Sequence, residues 1–227
     1  MTEADALKEA AAARALELVR DGMLVGLGSG TTASLFVAGL GRRVAAGLRV
    51  TGLASSERTA QLAAASGVPI VDEIDRPLDL AVDGADEIDP RRNLLKGRGG
   101  ALFREKLVAL NAQRFIVVAD SSKLVEQLGE GVVPVEVLPF LWRRTAARLA
   151  ALGADWALRE EDGRPYVTDN GNLILDLTFG GRIRDPEGLA AEMKGIPGVL
   201  EHGLFWGIAA GCIVAGPDGI RILGAID

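Results

Sequence analysis

Cysteine and histidine are nearly absent from this 227-residue chain, which has one of each. A single cysteine, Cys212, excludes an intrachain disulfide and a cysteine cluster for zinc. Its apolar neighbours predict inert packing in a buried strand. The single histidine, His202, lacks the sequence context of a nucleophile that it could activate, so we expect a surface or capping role for it.

Long basic runs and long apolar runs are also missing. The net charge is −6, with 31 acidic against 25 basic residues, and basic residues never cluster beyond pairs. Nucleic acid is therefore not an expected partner. No apolar run approaches the roughly 20 residues of a membrane-spanning helix, and the N-terminal stretch is acidic rather than basic and then apolar. We expect a cytoplasmic protein with no membrane partner.

Lysine is scarce relative to arginine. Of the 25 basic residues only five are lysines, namely Lys8, Lys96, Lys106, Lys123 and Lys194. In such a background a lysine suggests a site that needs a compact charge with three donors for an oxyanion or a phosphate. Chance or codon bias is the alternative explanation.

Strands and helices alternate up to about residue 123, which predicts a mainly parallel, three-layer α/β sheet. From Val132 onward the order becomes strand, helix, two strands, helix and strand. This order is typical of the split βαβ arrangement of a small, ferredoxin-like α+β domain. A final hairpin around residues 213–223 could belong to either domain.

A glycine-rich loop at residues 26–32 follows a predicted strand and precedes a predicted helix. Its backbone N–H groups and the helix dipole could hold an anion. The loop lacks the lysine of a P-loop, and it lacks the third glycine and distant acid of a dinucleotide-binding motif. Hydroxyls at Ser29, Thr31 and Thr32 suit a compact phosphate monoester, whereas the alternative is a tight turn with a helix cap.

An acidic segment follows the strand that is predicted to end at Asp83. In open α/β sheets ligands bind at the carboxyl ends of strands, which is where this order places Asp83 and Asp86. With Asp89, these acids could simply cap a loop, hold Mg²⁺, or carry out proton chemistry on a polyol. Lys96 would compete with a bound cation, and the spacing does not match a calcium loop.

Glu105 lies in a helix predicted over residues 101–110. Its neighbours three and four positions away are apolar, which would make a carboxylate poorly hydrated and a better base. The same holds for Arg104 and Lys106, so the pattern does not single out Glu105. By itself the pattern indicates an ordinary solvated helix charge.

The motifs taken together closely resemble those of type A ribose-5-phosphate isomerase. The resemblance spans almost the whole chain and depends on the order and spacing of GLGSGTT at 26–32, SSE at 55–57, DGADE at 83–87, KGRGG at 96–100, REK at 104–106, ADSSK at 119–123, PVEV at 134–137, VTDNGN at 167–172, GLF at 203–205 and PDG at 217–219. One departure is Arg98, where the family often has glycine. Either the backbone or the side chain of Arg98 could therefore meet a ligand.

The resemblance implies interconversion of D-ribose 5-phosphate and D-ribulose 5-phosphate through an enediolate, in the pentose phosphate pathway, with no metal and no cofactor. It assigns to Glu105 the transfer of a proton between C1 and C2. Asp83 and Asp86 would serve ring opening and proton exchange at the sugar oxygens. Lys96 would stabilise the enediolate.

The resemblance also implies a substrate pocket, a domain organisation and an assembly. The residues that would contact the sugar phosphate are Ser29, Gly30, Thr31, Thr32, Asp83, Gly84, Ala85, Asp86, Lys96, Gly97, Arg98 and Gly99, with Lys8 and Lys123 as contacts to the phosphate. A Rossmann-like domain would comprise residues 1–127 and 206–227, with a small α+β domain inserted at 128–205. Family members are usually homodimers and sometimes homotetramers.

Three other functions were compared with this expectation. An amino-sugar phosphate isomerase or a phosphogluconolactonase would use a histidine, but His202 lies outside the predicted site loops. A regulatory sugar-phosphate sensor would need a DNA-binding helix pair, for which the chain has no obvious room. A CoA-transferase-like protein would use one glutamate as a nucleophile, and incubation with an acyl-CoA would distinguish it.

Overall fold

The computed structural model describes residues 2–226, which contain six α-helices. They are α1 (Glu3–Leu16), α2 (Thr31–Ala45), α3 (Glu57–Ala65), α4 (Leu102–Leu110), α5 (Trp142–Ala150) and α6 (Pro186–Lys194). Side-chain caps begin several of them: the Ser56 hydroxyl accepts a hydrogen bond from Thr59 N–H at the start of α3. None of the six has the length and apolar character needed to cross a membrane.

The same residues contain fifteen β-strands, several of them only two residues long. They are β1 (Leu24–Leu27), β2 (Thr51–Ala54), β3 (Leu80–Asp83), β4 (Glu87–Ile88), β5 (Leu94–Leu95), β6 (Phe115–Asp120), β7 (Val133–Val137), β8 (Asp155–Leu158), β9 (Glu160–Glu161), β10 (Arg164–Pro165), β11 (Leu173–Thr178), β12 (Val199–His202), β13 (Leu204–Phe205), β14 (Gly211–Gly216) and β15 (Gly219–Gly224).

The chain packs as two compact units. The first unit contains residues 2–85, 104–123 and 207–226, and the second contains 86–103 and 124–206. Residues 86–103 group with the second unit because β4 pairs with β5 and β5 pairs with β13. The predicted domains instead assign this segment to the Rossmann-like domain, and their limits stay a prediction.

A six-stranded sheet forms the centre of the first unit, in the order β15-β14-β6-β3-β1-β2. All neighbouring pairs are parallel except β14 with β15. The mainly parallel sheet predicted from the sequence is therefore confirmed. The final hairpin, which the residue pattern left open and the family resemblance assigned to the Rossmann-like domain, extends this sheet through β14.

Helices cover both faces of this sheet. On one face, Ala11 of α1 and Phe36 of α2 are fully buried in a cluster with Leu27 of β1. On the other face α4 approaches β1 closely, since a Cβ atom on Gly26 would lie 2.6 Å from Cγ1 of Val108. The sheet with helices on both faces confirms the three-layer prediction.

β1 lies between β2 and β3 in the sheet. The chain therefore continues from β1 to its neighbour on one side, β2, and then crosses to its neighbour on the other side, β3. The carboxyl ends of β1 and β3 therefore border a topological switch point, where open α/β sheets bind ligands. Gly28 follows β1 directly, and Asp83 is the last residue of β3.

The second unit contains a four-stranded antiparallel sheet in the order β12-β7-β11-β8, together with α5 and α6. This arrangement confirms the predicted split βαβ order. Val133, Val135 and Val137 of β7 belong to one apolar cluster. Because side chains alternate along a strand, Pro134 and Glu136 face the opposite side of the sheet.

The predictions for Cys212 and His202 have different outcomes. Cys212 is fully buried within β14, as predicted. The surface location predicted for His202 is wrong, because this residue is only 5% exposed on β12, whereas the alternative of a capping role agrees with a hydrogen bond that its side chain accepts from the backbone. Its Nδ1 atom accepts a hydrogen bond of 3.3 Å from Leu204 N–H, and its Nε2 atom lies 3.7 Å from Oε1 of Glu201.

Candidate active site

Asp83 and the glycine loop are joined at the switch point of the first unit. The Asp83 carboxylate is buried, and its Oδ1 atom accepts hydrogen bonds from Ser29 N–H at 3.0 Å and Gly84 N–H at 2.7 Å. A Cβ atom on Gly28 would overlap this carboxylate. Glycine at position 28 therefore lets the loop after β1 pass directly against Asp83.

A cluster of hydroxyl groups fixes the Ser29 side chain. Its Oγ atom lies 3.0 Å from Ser55 Oγ, 2.9 Å from Ser56 Oγ and 3.1 Å from Thr59 Oγ1. The Thr59 hydroxyl also donates a 3.1 Å hydrogen bond to the Gly28 carbonyl. The sequence predicts a helix cap at Ser55 and Ser56, which also belong to the SSE motif of the resemblance, but it gave no role to Thr59.

The glycine loop ends at Gly30, which caps α2 with a positive φ of 91° and makes no side-chain capping hydrogen bond. Thr31 is exposed and Thr32 is buried in the first turn of this helix. The order of strand, loop and helix N-terminus is as predicted. Binding of a phosphate there stays a prediction.

Glu105 is buried on α4. Only 5% of the residue is exposed, so its interpretation as an ordinary solvated charge is wrong. Val108, three residues further on, packs against β1, and residues three apart share one face of a helix. Leu107 and Leu110 point outward instead, with 47% and 60% exposed. The face that α4 turns toward the sheet therefore includes Glu105.

In the second unit Lys96 follows β5 and is 3% exposed. Its backbone N–H donates a 2.9 Å hydrogen bond to the Gly203 carbonyl, and its Nζ atom lies 5.5 Å from the centre of the Phe205 ring. An ammonium group over an aromatic face gains electrostatic attraction. The pairing with residues 203–205 thus fixes both the backbone and the ammonium of Lys96.

Asp86 and Arg98 are joined within the same unit. Oδ2 of Asp86 accepts a 3.1 Å hydrogen bond from Arg98 N–H, and its Oδ1 atom lies 3.8 Å from Arg98 Nε. The Arg98 side chain is half exposed. The backbone and the side chain of Arg98 are therefore both directed at Asp86, and contact of either with a ligand stays a prediction.

The other acids of this segment have structural roles. Glu87 is buried and accepts hydrogen bonds from the N–H groups of Gly129 and Gly131. Oδ1 of Asp89 accepts hydrogen bonds of 2.8 Å from the N–H groups of Arg91 and Asn93, which confirms loop capping for this acid. Among residues 2–226, no cluster of three or more His, Cys, Asp or Glu side chains could hold a metal ion.

The remaining predicted contacts lie in loops and on one helix. Lys8 is half-buried on α1, and half-buried Lys123 ends a short 3₁₀ turn (Ser121–Lys123) after β6. Gly84 and Ala85 are half-buried after β3, whereas Gly99 is exposed in the turn after Lys96.

The comparison with protein families gives one match, to ribose 5-phosphate isomerase A (phosphoriboisomerase A), over residues 51–219. The chain belongs to this family. It is 52% identical to ribose-5-phosphate isomerase A of Bradyrhizobium diazoefficiens, with 96% of this chain and 95% of that protein covered. The corresponding protein of Roseiflexus castenholzii is 54% identical, with 92% of each chain covered.

Solved structures of the ribose 5-phosphate isomerase A family match the fold. One from Methanocaldococcus jannaschii has a TM-score of 0.92 and 38% identity, covering 97% of this chain and 99% of its own. Another, described as a D-ribose-5-phosphate isomerase in complex with phospho-erythronic acid, has a TM-score of 0.94 and 39% identity, covering 99% and 100%. The predicted family and fold class are therefore confirmed.

The family match begins at residue 51, so it includes Asp83, Asp86, Lys96 and Glu105 but not the glycine loop. The structure adds one residue that neither the motifs nor the resemblance to ribose-5-phosphate isomerases suggested. Arg159, just after β8, donates hydrogen bonds to two carbonyls of the turn that follows Lys96. An isolated arginine at a strand end has no sequence signal that would have identified it.

Proposed function

We propose that this protein interconverts D-ribose 5-phosphate and D-ribulose 5-phosphate, the aldose-ketose isomerisation of the non-oxidative pentose phosphate pathway. The main support is that, in a member of this family, Asp83, Lys96 and Glu105 are only 3%, 3% and 5% exposed. Charged side chains are almost never fully buried unless they are paired, and the family match covers all three of these positions. These are three of the four residues for which the resemblance implies chemistry.

Glu105 is the proposed base. It takes the proton from C2 of the open-chain aldose while the C1 carbonyl becomes an enediolate oxygen, and it returns the proton to C1 to give the ketose. A positioned base of this kind contributes roughly 10²- to 10⁴-fold to a rate. Because Glu105 is buried, bulk water competes little for the proton during the transfer.

Lys96 is the proposed stabiliser of the enediolate. Negative charge develops on the substrate oxygens as the C2 proton leaves, and a fixed ammonium group lowers the energy of that state. The Phe205 ring and the backbone bond to Gly203 hold Lys96 before substrate arrives, so little reorganisation accompanies the reaction.

Asp83 and Asp86 are the proposed groups for ring opening and for moving the hydroxyl proton between O2 and O1. Both are oriented by backbone N–H groups, Asp83 by Ser29 and Gly84 and Asp86 by Arg98. Such fixed orientation is what proton transfer to a defined oxygen requires.

The glycine loop, with Lys8 and Lys123, is the proposed phosphate contact, and holding the phosphate positions the reacting carbons. The other proposed substrate contacts are the backbone and side-chain groups of Gly30, Thr31, Thr32, Gly84, Ala85, Gly97, Arg98 and Gly99. A solved relative binds phospho-erythronic acid, which combines a phosphate with a carboxylate. That ligand supports a sugar phosphate as the substrate class.

The family resemblance also supports three further proposals: catalysis without a metal or cofactor, assembly as a homodimer or homotetramer, and a cytoplasmic location.

The direct test is to follow conversion of ribose 5-phosphate to ribulose 5-phosphate by the purified protein in excess EDTA. We expect full activity with EDTA present. An absence of conversion with and without added Mg²⁺ would contradict the proposed function. Activity lost in EDTA and restored by Mg²⁺ would instead assign the acidic segment to a metal, and transfer from an acyl-CoA would point to the glutamate nucleophile of a CoA-transferase.

A further inference from the structure

We propose that Arg159 is a positioning residue, held by Asp176, that fixes the turn after Lys96 and thereby orients both Lys96 and Asp86. The inference rests on the proposed function, which gives these two residues their chemical roles. All of the groups concerned lie in the second unit.

Arg159 makes hydrogen bonds in two directions. Its Nη1 atom donates to the carbonyls of Gly97 and Arg98, each at 3.0 Å. Its Nε atom donates to Oδ2 of Asp176 at 2.9 Å, and its Nη2 atom donates to Oδ1 of the same carboxylate. The guanidinium group therefore bridges the turn and the sheet.

The bridge is mostly shielded from water. The side chains of Arg159 and Asp176 are 14% and 23% exposed. A bidentate pair between a guanidinium and a carboxylate is among the stronger hydrogen-bonded arrangements in proteins. Asp176 itself is part of β11, so the anchor of the bridge is a strand and not a loop.

The backbone of Arg159 is equally constrained. Its N–H donates to the Ile174 carbonyl and its carbonyl accepts from Tyr166 N–H, both at 2.9 Å. The Tyr166 ring also packs against the turn, because a Cβ atom on Gly100 would overlap it. Arg159 and Tyr166 therefore both contact the turn.

The connection from the bridge to the two reacting residues is short. The backbone of Arg98 makes two hydrogen bonds: its N–H donates to the Asp86 carboxylate, and its carbonyl accepts from the Arg159 guanidinium. Gly97 adopts a positive φ of 102° directly after Lys96, and a Cβ there would lie 2.9 Å from Pro134. Movement of these carbonyls would consequently shift Asp86 and Lys96 together.

Lysine cannot replace this arginine, although it keeps the charge. Two carbonyls and a carboxylate need donors in a fixed planar fork, which the guanidinium supplies and an ammonium does not. The expected consequence is a misplaced Lys96 and Asp86 in an otherwise folded protein. Misplacement of about 1 Å can lower a rate by about a hundredfold.

The kinetic test compares Arg159→Lys with Arg182→Lys. Arg182 also pairs with two carboxylates in the second unit, those of Glu126 and Glu130, but it is exposed. We expect kcat for ribose 5-phosphate to fall at least about tenfold in Arg159→Lys, with KM changed less than about twofold, and no change in Arg182→Lys. In a background that lacks both oriented groups, Lys96→Ala with Asp86→Ala, the effect of Arg159→Lys on kcat should shrink to about threefold or less.

A second readout does not depend on catalysis. Hydrogen exchange at the Arg98 amide should quicken at least about tenfold in Arg159→Lys, because the Asp86 bond loosens when the turn is released. Asp176→Asn removes the charge that anchors Arg159 and should give the same changes in kcat and in hydrogen exchange. If Arg159→Lys does not fold, Asp176→Asn is used in its place.

Unchanged kcat together with unchanged exchange at Arg98 would overturn the inference. An equal loss of kcat with and without the pair Lys96 and Asp86 would also overturn it, since a general structural defect would act in both backgrounds. If the wild-type protein does not isomerise ribose 5-phosphate, the proposed function fails, and exchange at Arg98 alone decides whether Arg159 holds the turn.

Discussion

The glycine loop can pass close to Asp83 because Gly28 has no Cβ atom. Asp83 occupies the volume that a side chain at position 28 would need, and the same carboxylate orients the N–H groups of Ser29 and Gly84. The loop and the acid are therefore placed by one close contact. A larger residue at position 28 would have to move one or the other.

Gly28→Ala is accordingly expected to lower both stability and activity. Overpacking a tight site costs about 1–3 kcal/mol, and displacement of Asp83 should reduce kcat for ribose 5-phosphate at least about tenfold. Urea unfolding and steady-state kinetics measure the two effects. Gly195→Ala is the control, because a Cβ there meets its nearest atom at 3.4 Å. Wild-type stability and kcat in Gly28→Ala would show that the contact is unimportant.

Glu105 shows what a helical pattern does not reveal. Its apolar neighbours were visible in the sequence, but Arg104 and Lys106 had similar neighbours. The difference arises from long-range packing, since α4 lies against β1 at Gly26 and turns the face that contains Glu105 toward the sheet. The role proposed for Glu105 therefore comes only from the family motif, and its burial could be learned only from the structure.

Asp79, the residue before β3, forms a hydrogen bond to the first residue of the neighbouring strand β1. Its Oδ2 atom accepts a 2.7 Å hydrogen bond from Leu24 N–H at the start of β1, and both its oxygens lie 3.0 Å from Arg76 Nη1. Burial by itself would raise the pKa of Asp79, but the bonds from Leu24 and Arg76 outweigh burial and hold it below its ordinary value.

A lowered carboxylate pKa stabilises the folded state above the unfolded pKa, near 3.9, and this contribution is lost as the pH falls through the folded pKa. We therefore expect Asp79→Asn to cost about 1 kcal/mol at pH 7 and progressively less in acid. Urea unfolding of the wild type and the variant from pH 7 to about pH 3 tests this. Asp218→Asn, in an exposed turn, is the control. A cost for Asp79→Asn that is independent of pH would contradict the assignment.

Elements with strong local signals were predicted closely. The sequence predicts a strand over residues 173–178, after the turn Asn170-Gly171, and a helix over residues 186–194, which begins with Pro186; β11 and α6 have these bounds. β4 and β5 were missed, because each has only two residues and their small sheet is completed by the pairing of β5 with β13, more than 100 residues away. Local patterns contain no information about such pairing.

The alternation of strands and helices was sufficient to predict the fold class, since parallel strands require crossover helices whatever the details of each element. The grouping of residues 86–103 was not predictable in the same way, because it depends on β13 near the far end of the chain. The contacts of Arg159 also depend on residues that are distant in the sequence. Its contacts to residues 97 and 98 connect segments about 60 positions apart, so only the folded chain reveals them.

The proposed chemistry centres on proton transfer by Glu105, and Glu105→Gln tests it most directly. The variant keeps the size and hydrogen-bonding capacity of the side chain but removes the base. With Glu192→Gln on the exposed surface of α6 as a matched control, kcat for ribose 5-phosphate is measured in excess EDTA. We predict a loss of at least about a hundredfold in Glu105→Gln and none in Glu192→Gln. Full activity in Glu105→Gln would contradict the account.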